Sequence, residues 1–187
     1  MVRDTDFIDA DGYRANVGIV LMNGERQVFI GGRAGARGWQ FPQGGIRRGE
    51  RPEQALYREL AEEVGLARDQ VQEVAQTRRW LRYRLPPQFV RRDSEPLCIG
   101  QKQRWFLLRL DAAESALRFD STEQPAEFDR WRWSGWWDAV HDVIYFKRRV
   151  YSRALHELGA HVFPDGLPPY PDWWEERMGS RGPDASD

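Results

Sequence analysis

Residues 44–66 read GGIRRGERPEQALYRELAEEVGL, from Gly44 to Leu66, and how this stretch folds decides how the rest is read. Its glycine-rich start is a turn, and Pro52 suits a first helical position because the N–H it lacks would be unpaired there. Leu56, Leu60 and Val64 recur at helical spacing as a buried stripe, and Gly65 is a good stop. Glu59, Glu62 and Glu63 fall within about 100° of the helix circumference, so their carboxylates share one face. Like charges at these spacings each cost an isolated helix about 0.2–0.5 kcal/mol, and only Arg58 flanks them with opposite charge. Three glutamates alone read as a solvated acidic surface. Hard oxygen ligands converging from one rigid element also suit Mg²⁺ or Mn²⁺, which take carboxylates, waters and a substrate phosphate together.

The spacing of Gly44, Glu50, Arg58-Glu59-Leu60 and Glu62-Glu63-Val64-Gly65-Leu66 resembles the Nudix box, the signature of hydrolases that cut a diphosphate linked to another moiety. Nine of these positions, all but Val64, are specified by the box and all are present over 23 residues, which makes the match far more specific than a lone glycine motif. The resemblance runs from about Asp11 to Leu158. It takes in Trp39-Gln40-Phe41-Pro42-Gln43, Gly100-Gln101-Lys102-Gln103, Glu127-Phe128-Asp129 with Trp131-Arg132-Trp133, and Phe146-Lys147-Arg148 with Val150-Tyr151. These segments are similar to one branch, the bacterial RNA 5′ pyrophosphohydrolases, long grouped with dinucleoside polyphosphate hydrolases.

The resemblance implies an α/β fold, an α-β-α sandwich around a mixed sheet. It implies removal of pyrophosphate or phosphate from a tri- or diphosphorylated RNA 5′ end, leaving a monophosphate and triggering RNA decay. The implied cofactor is Mg²⁺ or Mn²⁺, two or more ions with substrate bound. Glu59, Glu62, Glu63 and, from a separate loop, Glu127 are the implied metal ligands and catalytic residues. Glu62 is favoured as the group that takes the water's proton, since a carboxylate bound directly to a metal is a poor base. Gly44, Glu50, Arg58 and Gly65 hold the box together, with Arg58 bridging to Glu50. Arg33, Gln101, Phe146, Lys147 and Arg14 match the branch's substrate-binding positions, although spacing alone makes Phe146 equally a core aromatic at a helix start. Two positions depart from the branch: Arg47-Arg48 replace an Asn/Asp-Pro type pair, and Gly32 stands where a basic residue is usual. Two other readings stay open, a dinucleoside polyphosphate (Ap4A-type) hydrolase and an RNA-binding module without turnover.

Composition is consistent with a globular enzyme. The chain has 187 residues, 30% of them charged and 41% hydrophobic, enough for one sizeable core. No apolar run approaches membrane-spanning length, and the acidic start lacks the basic-then-apolar order of a signal peptide, so the expectation is a cytoplasmic protein without a membrane partner. Cys98 is the only cysteine, which excludes an intrachain disulfide or thiolate zinc site. The net charge is −1, yet residues 165–187 carry six acids and two arginines, and the remainder is net +3. Residues 1–160 are expected to form the Nudix domain, and 161–187 an irregular acidic, proline-rich tail.

Along the chain, 16–22 and 27–30 read as strands joined by a hairpin at Asn23-Gly24. Strands are also expected at 71–75, 80–85, 104–110 and 130–137, with a second amphipathic helix over 145–158. From Arg78 to Arg92 there are six arginines and no acid, with Trp80, Tyr83 and Phe89 interleaved. That mixture suits a surface for phosphates and bases, and it equally suits a two-faced strand followed by a basic loop.

Overall fold

The computed structural model describes residues 7–93, 95–119 and 126–178. Eight strands form one mixed sheet: β1 Tyr13–Met22, β2 Val28–Arg33, β3 Trp39–Gln40, β4 Gln43–Gly45, β5 Val71–Gln76, β6 Leu81–Arg84, β7 Gly100–Leu110 and β8 Phe128–Ser134. The order is β3-β2-β1-β7-β5, with β4 beside β1, β6 beside β7 and β8 beside β2. β1 and β7 are parallel and in register over ten residue pairs, from Tyr13 opposite Gly100 to Met22 opposite Arg109. The other pairings are antiparallel.

Alternation along β1 and β7 builds two cores. Ala15, Val17, Ile19, Leu21, Phe106 and Leu108 face helix α1, Pro52–Val64, whose Ala55, Leu56, Leu60 and Val64 are buried against them. Val20, Met22, Trp105 and Leu107 share a core with the short helix α2, Asp138–Asp142, and face helix α3, Arg148–Gly159, which buries Val150, Tyr151, Ala154, Leu155 and Leu158. A helix on each side of a mixed sheet is the α-β-α sandwich. Gly65 ends α1 in the left-handed region, φ 70°, and donates its N–H to the Ala61 carbonyl, as a C-terminal cap requires.

Three expectations from sequence need adjusting. The second helix begins later, because Tyr145–Lys147 form a tighter 3-10 turn before Arg148. The arginine-rich stretch is spread over several surroundings: Arg82 pairs with Asp11, Arg84 donates to the Tyr13 hydroxyl, and Arg104 caps the Arg78 carbonyl. The segment expected to be irregular contains a short helix, α4 Trp174–Met178. Trp174, 6% exposed, packs on Trp137 and Tyr170, and the Trp137 indole donates to the Pro168 carbonyl, so aromatic burial orders what composition left unstructured. Residues 179–187, the end of that tail, lie outside the described residues.

Candidate active site

On the α3 side of the sheet, the start of the β1–β7 pair is polar where the rest is apolar. Arg14 stands opposite Gln101 and Asn16 opposite Gln103, on the same face as Trp105 and Leu107. These residues floor one end of a cavity of about 320 Å³, to which Arg14, Asn16 and Gln101 contribute directly. Gln103 is fully buried behind it, and its side-chain NH₂ donates to Asn16 Oδ1 at 2.9 Å and to Gln43 Oε1 at 3.3 Å.

Helix α1 reaches the same cavity with Glu59 and Glu63, although it packs on the opposite face of the sheet. Gly44 on β4 makes this possible: a Cβ there would overlap the Glu59 carboxylate. Strand β4 also fixes Glu63, whose Oε2 accepts the Gln43 N–H at 2.9 Å. Glu127, just before β8, adds a third carboxylate; its Oε1 lies 3.1 Å from Gln40 Nε2 and 3.4 Å from Arg33 Nε. Arg33 and Lys147 line the same cavity.

Arg58 stands behind the glutamates. Its guanidinium grips Glu50 through two 2.8 Å bonds, donates to the Gly45 carbonyl at 2.8 Å, and contacts Glu59 closely. The turn carrying Glu50 and the strand carrying Gly44 and Gly45 are thereby fastened to α1. Of the three clustered glutamates of α1, Glu62 alone does not line the cavity. It sits at the lip, its two oxygens each 3.4 Å from an arginine, Arg47 and Arg58.

The electrostatics follow from this crowding. Burial, then the charges of Glu59 and Glu127, push Glu63 well above the usual carboxylate range. Burial also raises Glu59, against the pull of Arg58. Burial would raise Glu50 too, but the Arg58 fork and the Arg47 N–H outweigh it and hold its carboxyl low. Lys147 is pulled down to about 8 by burial and by Arg33, although Glu127 and Glu63 oppose the shift.

Among the described residues, no three His, Cys, Asp or Glu side chains are placed to grip a metal ion as they stand. The chemistry of the donor set nonetheless fits a divalent cation. Glu59, Glu63 and Glu127 supply only hard oxygens to one cavity, and their mutual repulsion and desolvation are what such a cation relieves.

Of the residues singled out from sequence, Glu59, Glu63, Glu127, Gly44, Arg58, Arg33, Gln101, Lys147 and Arg14 line this cavity. Glu62 is at its lip, Glu50 lies behind Arg58, and Gly65 lies at the far end of α1. Phe146 is outside it, half-buried among Tyr83, Phe89 and Tyr145. Sequence reasoning missed Asn16, Gln40, Gln43 and Arg47. Asn16 and Gln103 had a readable signal, amides at buried positions of otherwise apolar strands, while Gln40 and Gln43 had none beyond lying beside the box.

Comparison with known proteins agrees. The chain is 58% identical over 161 residues, 86% of its length and 92% of the relative's, to the RNA pyrophosphohydrolase of Thioalkalivibrio sulfidiphilus. It is 57% identical over 164 residues, 88% of its length and 90% of the relative's, to that of Alkalilimnicola ehrlichii. Among solved structures, the Escherichia coli dihydroneopterin triphosphate pyrophosphohydrolase shares the fold at TM-score 0.57 and 19% identity, over 74% of this chain and 92% of that one. The NUDIX domain matches residues 12–155, and with the box, the sandwich and these relatives the chain belongs to the Nudix family.

Proposed function

We propose that this protein is an RNA 5′ pyrophosphohydrolase of the cytoplasm, which hydrolyses a 5′-triphosphorylated or diphosphorylated RNA end to the monophosphate. One observation carries the reading: a single cavity lined by the carboxylates of Glu59, Glu63 and Glu127 together with Arg14, Arg33 and Lys147. Such a mixture suits a polyanion whose phosphates need both divalent cations and fixed positive charge. The printed names of the relatives, RNA pyrophosphohydrolase, support RNA as the substrate class.

Glu59, Glu63 and Glu127 would hold Mg²⁺ or Mn²⁺. The chemistry these ions supply is neutralisation of phosphoryl oxygens and acidification of the attacking water. The protein's own contribution is placement and charge. Arg14, Arg33 and Lys147 bind the polyphosphate and Gln101 orients it. Arg58 and Glu50 keep the glutamates in position. Glu62, which the cavity floor does not engage, accepts the proton as water attacks phosphorus and the P–O bond to the leaving phosphate or pyrophosphate breaks.

The test is release of pyrophosphate from a 5′-triphosphorylated oligonucleotide, with Mg²⁺ and with EDTA. Turnover only with metal, lowered about 10²- to 10⁴-fold by Glu62→Gln in a folded protein, is the expected result. No turnover with either condition, or an unaffected variant, overturns it. Ap4A at equal concentration serves as competitor, and preference for it replaces the RNA assignment.

A further inference from the structure

Strands β1 and β2 pair at Met22 opposite Val28 and then part, and residues 39–45 fill the fork, with β3 on β2 and β4 on β1. Gln40 stands opposite Gly31 and Gln43 opposite Gly18, so Phe41 and Pro42 cross from one ladder to the other. Pro42 has no N–H to place, and its carbonyl accepts the Ile19 N–H at 2.9 Å. Phe41 does have one, on a fully buried residue, and a side chain from α3 takes it: the N–H donates to the Tyr151 hydroxyl at 3.2 Å. The two rings stack at 5.0 Å and 20°, and both meet Trp105 edge-on. A buried N–H left without an acceptor is costly, so the hydroxyl, beyond the packing of its ring, fixes where the crossing runs.

The crossing lies between two contacts that steer carboxylates of the cavity. Just before it, the Gln40 side chain donates to Glu127 at 3.1 Å, and just after it the Gln43 N–H donates to Glu63 at 2.9 Å. Glu127 comes from the approach to β8 and Glu63 from α1, so the short segment 40–43 sets the spacing of two groups that no single element carries. The amide ladder holds this segment only by the Gln43 side chain, through Gln103. Resting on the reading above that these carboxylates hold Mg²⁺ or Mn²⁺, we infer that Tyr151 is a positioning residue for the metal: its hydroxyl pins the Phe41 N–H and thereby fixes Glu63 and Glu127 through 40–43. Tyr151 does not line the cavity and acts only through this segment. Partners that orient metal ligands from behind contribute about 10- to 100-fold to metal affinity or activity.

Tyr151→Phe keeps the stacked rings and removes only the acceptor. Mn²⁺ binding to the free enzyme, followed by electron paramagnetic resonance with no RNA present, should weaken about 10-fold. Amide exchange at Phe41 and Gln43, read by NMR without metal, should quicken. With triphosphorylated RNA, kcat should fall about 10-fold while KM holds. Leu155→Val thins the same core from the same helix and serves as the control: it should lower the melting temperature yet leave Mn²⁺ binding and both amides unchanged. Equal effects of the two variants, or a folded Tyr151→Phe that binds Mn²⁺ as tightly as wild type, would overturn the inference and leave Tyr151 as core packing. Wild-type protein that binds Mn²⁺ but leaves the RNA intact would instead remove the RNA reading, while the Mn²⁺ comparison still decides the role of Tyr151.

Discussion

The acidic and cationic linings of the site are built in different ways. Glu59 and Glu63, with Glu62 at the lip, come from one stretch of one helix, set by spacing along the chain, and only Glu127 joins them from elsewhere. Arg14, Arg33, Gln101 and Lys147 come from β1, β2, β7 and the turn before α3, and only the folded sheet brings them together. The acidic lining carries its repulsion wherever α1 forms, and needs Arg58 to contain it. The cationic lining costs nothing until folding is complete. Chemistry written along one element can be changed by one residue, whereas chemistry assembled from four is sensitive to register.

The sharpest way to break this comparison is Glu63→Gln. Its catalytic effect should be the largest, a kcat loss of about 10³-fold measured as pyrophosphate release. The same substitution should raise the melting temperature in EDTA, because burial and two neighbouring carboxylates disfavour the charged form it removes. Loss of both activity and stability would mean that Glu63 is a structural partner of Gln43 first. Next is Arg58→Ala, which leaves Glu50 and Glu59 without their shared counter-charge and should cost about 3 kcal/mol in urea unfolding at pH 7. Glu50 adds a pH signature. Its folded pKa lies below the unfolded value of 4.5, so its contribution is present above that value and is lost as pH falls through the lower folded one. In the alanine variant that part of the acid limb should disappear from a pH series of melts. The smallest effect is Arg47→Ala at the lip. Its 3.4 Å pair with Glu62 is partly exposed, so stability should change by less than about 1 kcal/mol and KM for triphosphorylated RNA should rise only a few-fold.

The same contrast governs what the sequence revealed. The helix, its buried stripe, its cap and its glutamate face were all legible, since one period fixes them. The sandwich followed from the box and the strand alternation. The amides of the polar ladder left a trace in the sequence but their pairing did not, because Asn16 meets Gln103 across 87 residues through the parallel β1–β7 register. Phe146 was legible as an aromatic near the substrate, but its burial by Phe89 and Tyr145 depends on a loop docking against the turn before α3. The arginines of 78–92 left two readings open for a related reason. Strand alternation sends Arg82 and Arg84 to the face away from Leu81 and Tyr83, and no arginine of that stretch lines the cavity.

The ten-residue register between β1 and β7 has a consequence for how this chain tolerates change. A slip or insertion of one residue in either strand exchanges its two faces, turning Arg14 and Asn16, or Gln101 and Gln103, into the α1-side core and an apolar pair into the cavity. Such an indel inactivates and unfolds together, with no intermediate that keeps one property. Residues 90–93, between β6 and β7, lie outside that register, so length variation among descendants of this chain should accumulate there and stop before Cys98 and Ile99, where burial and backbone bonds to Gly12 and Leu85 resume.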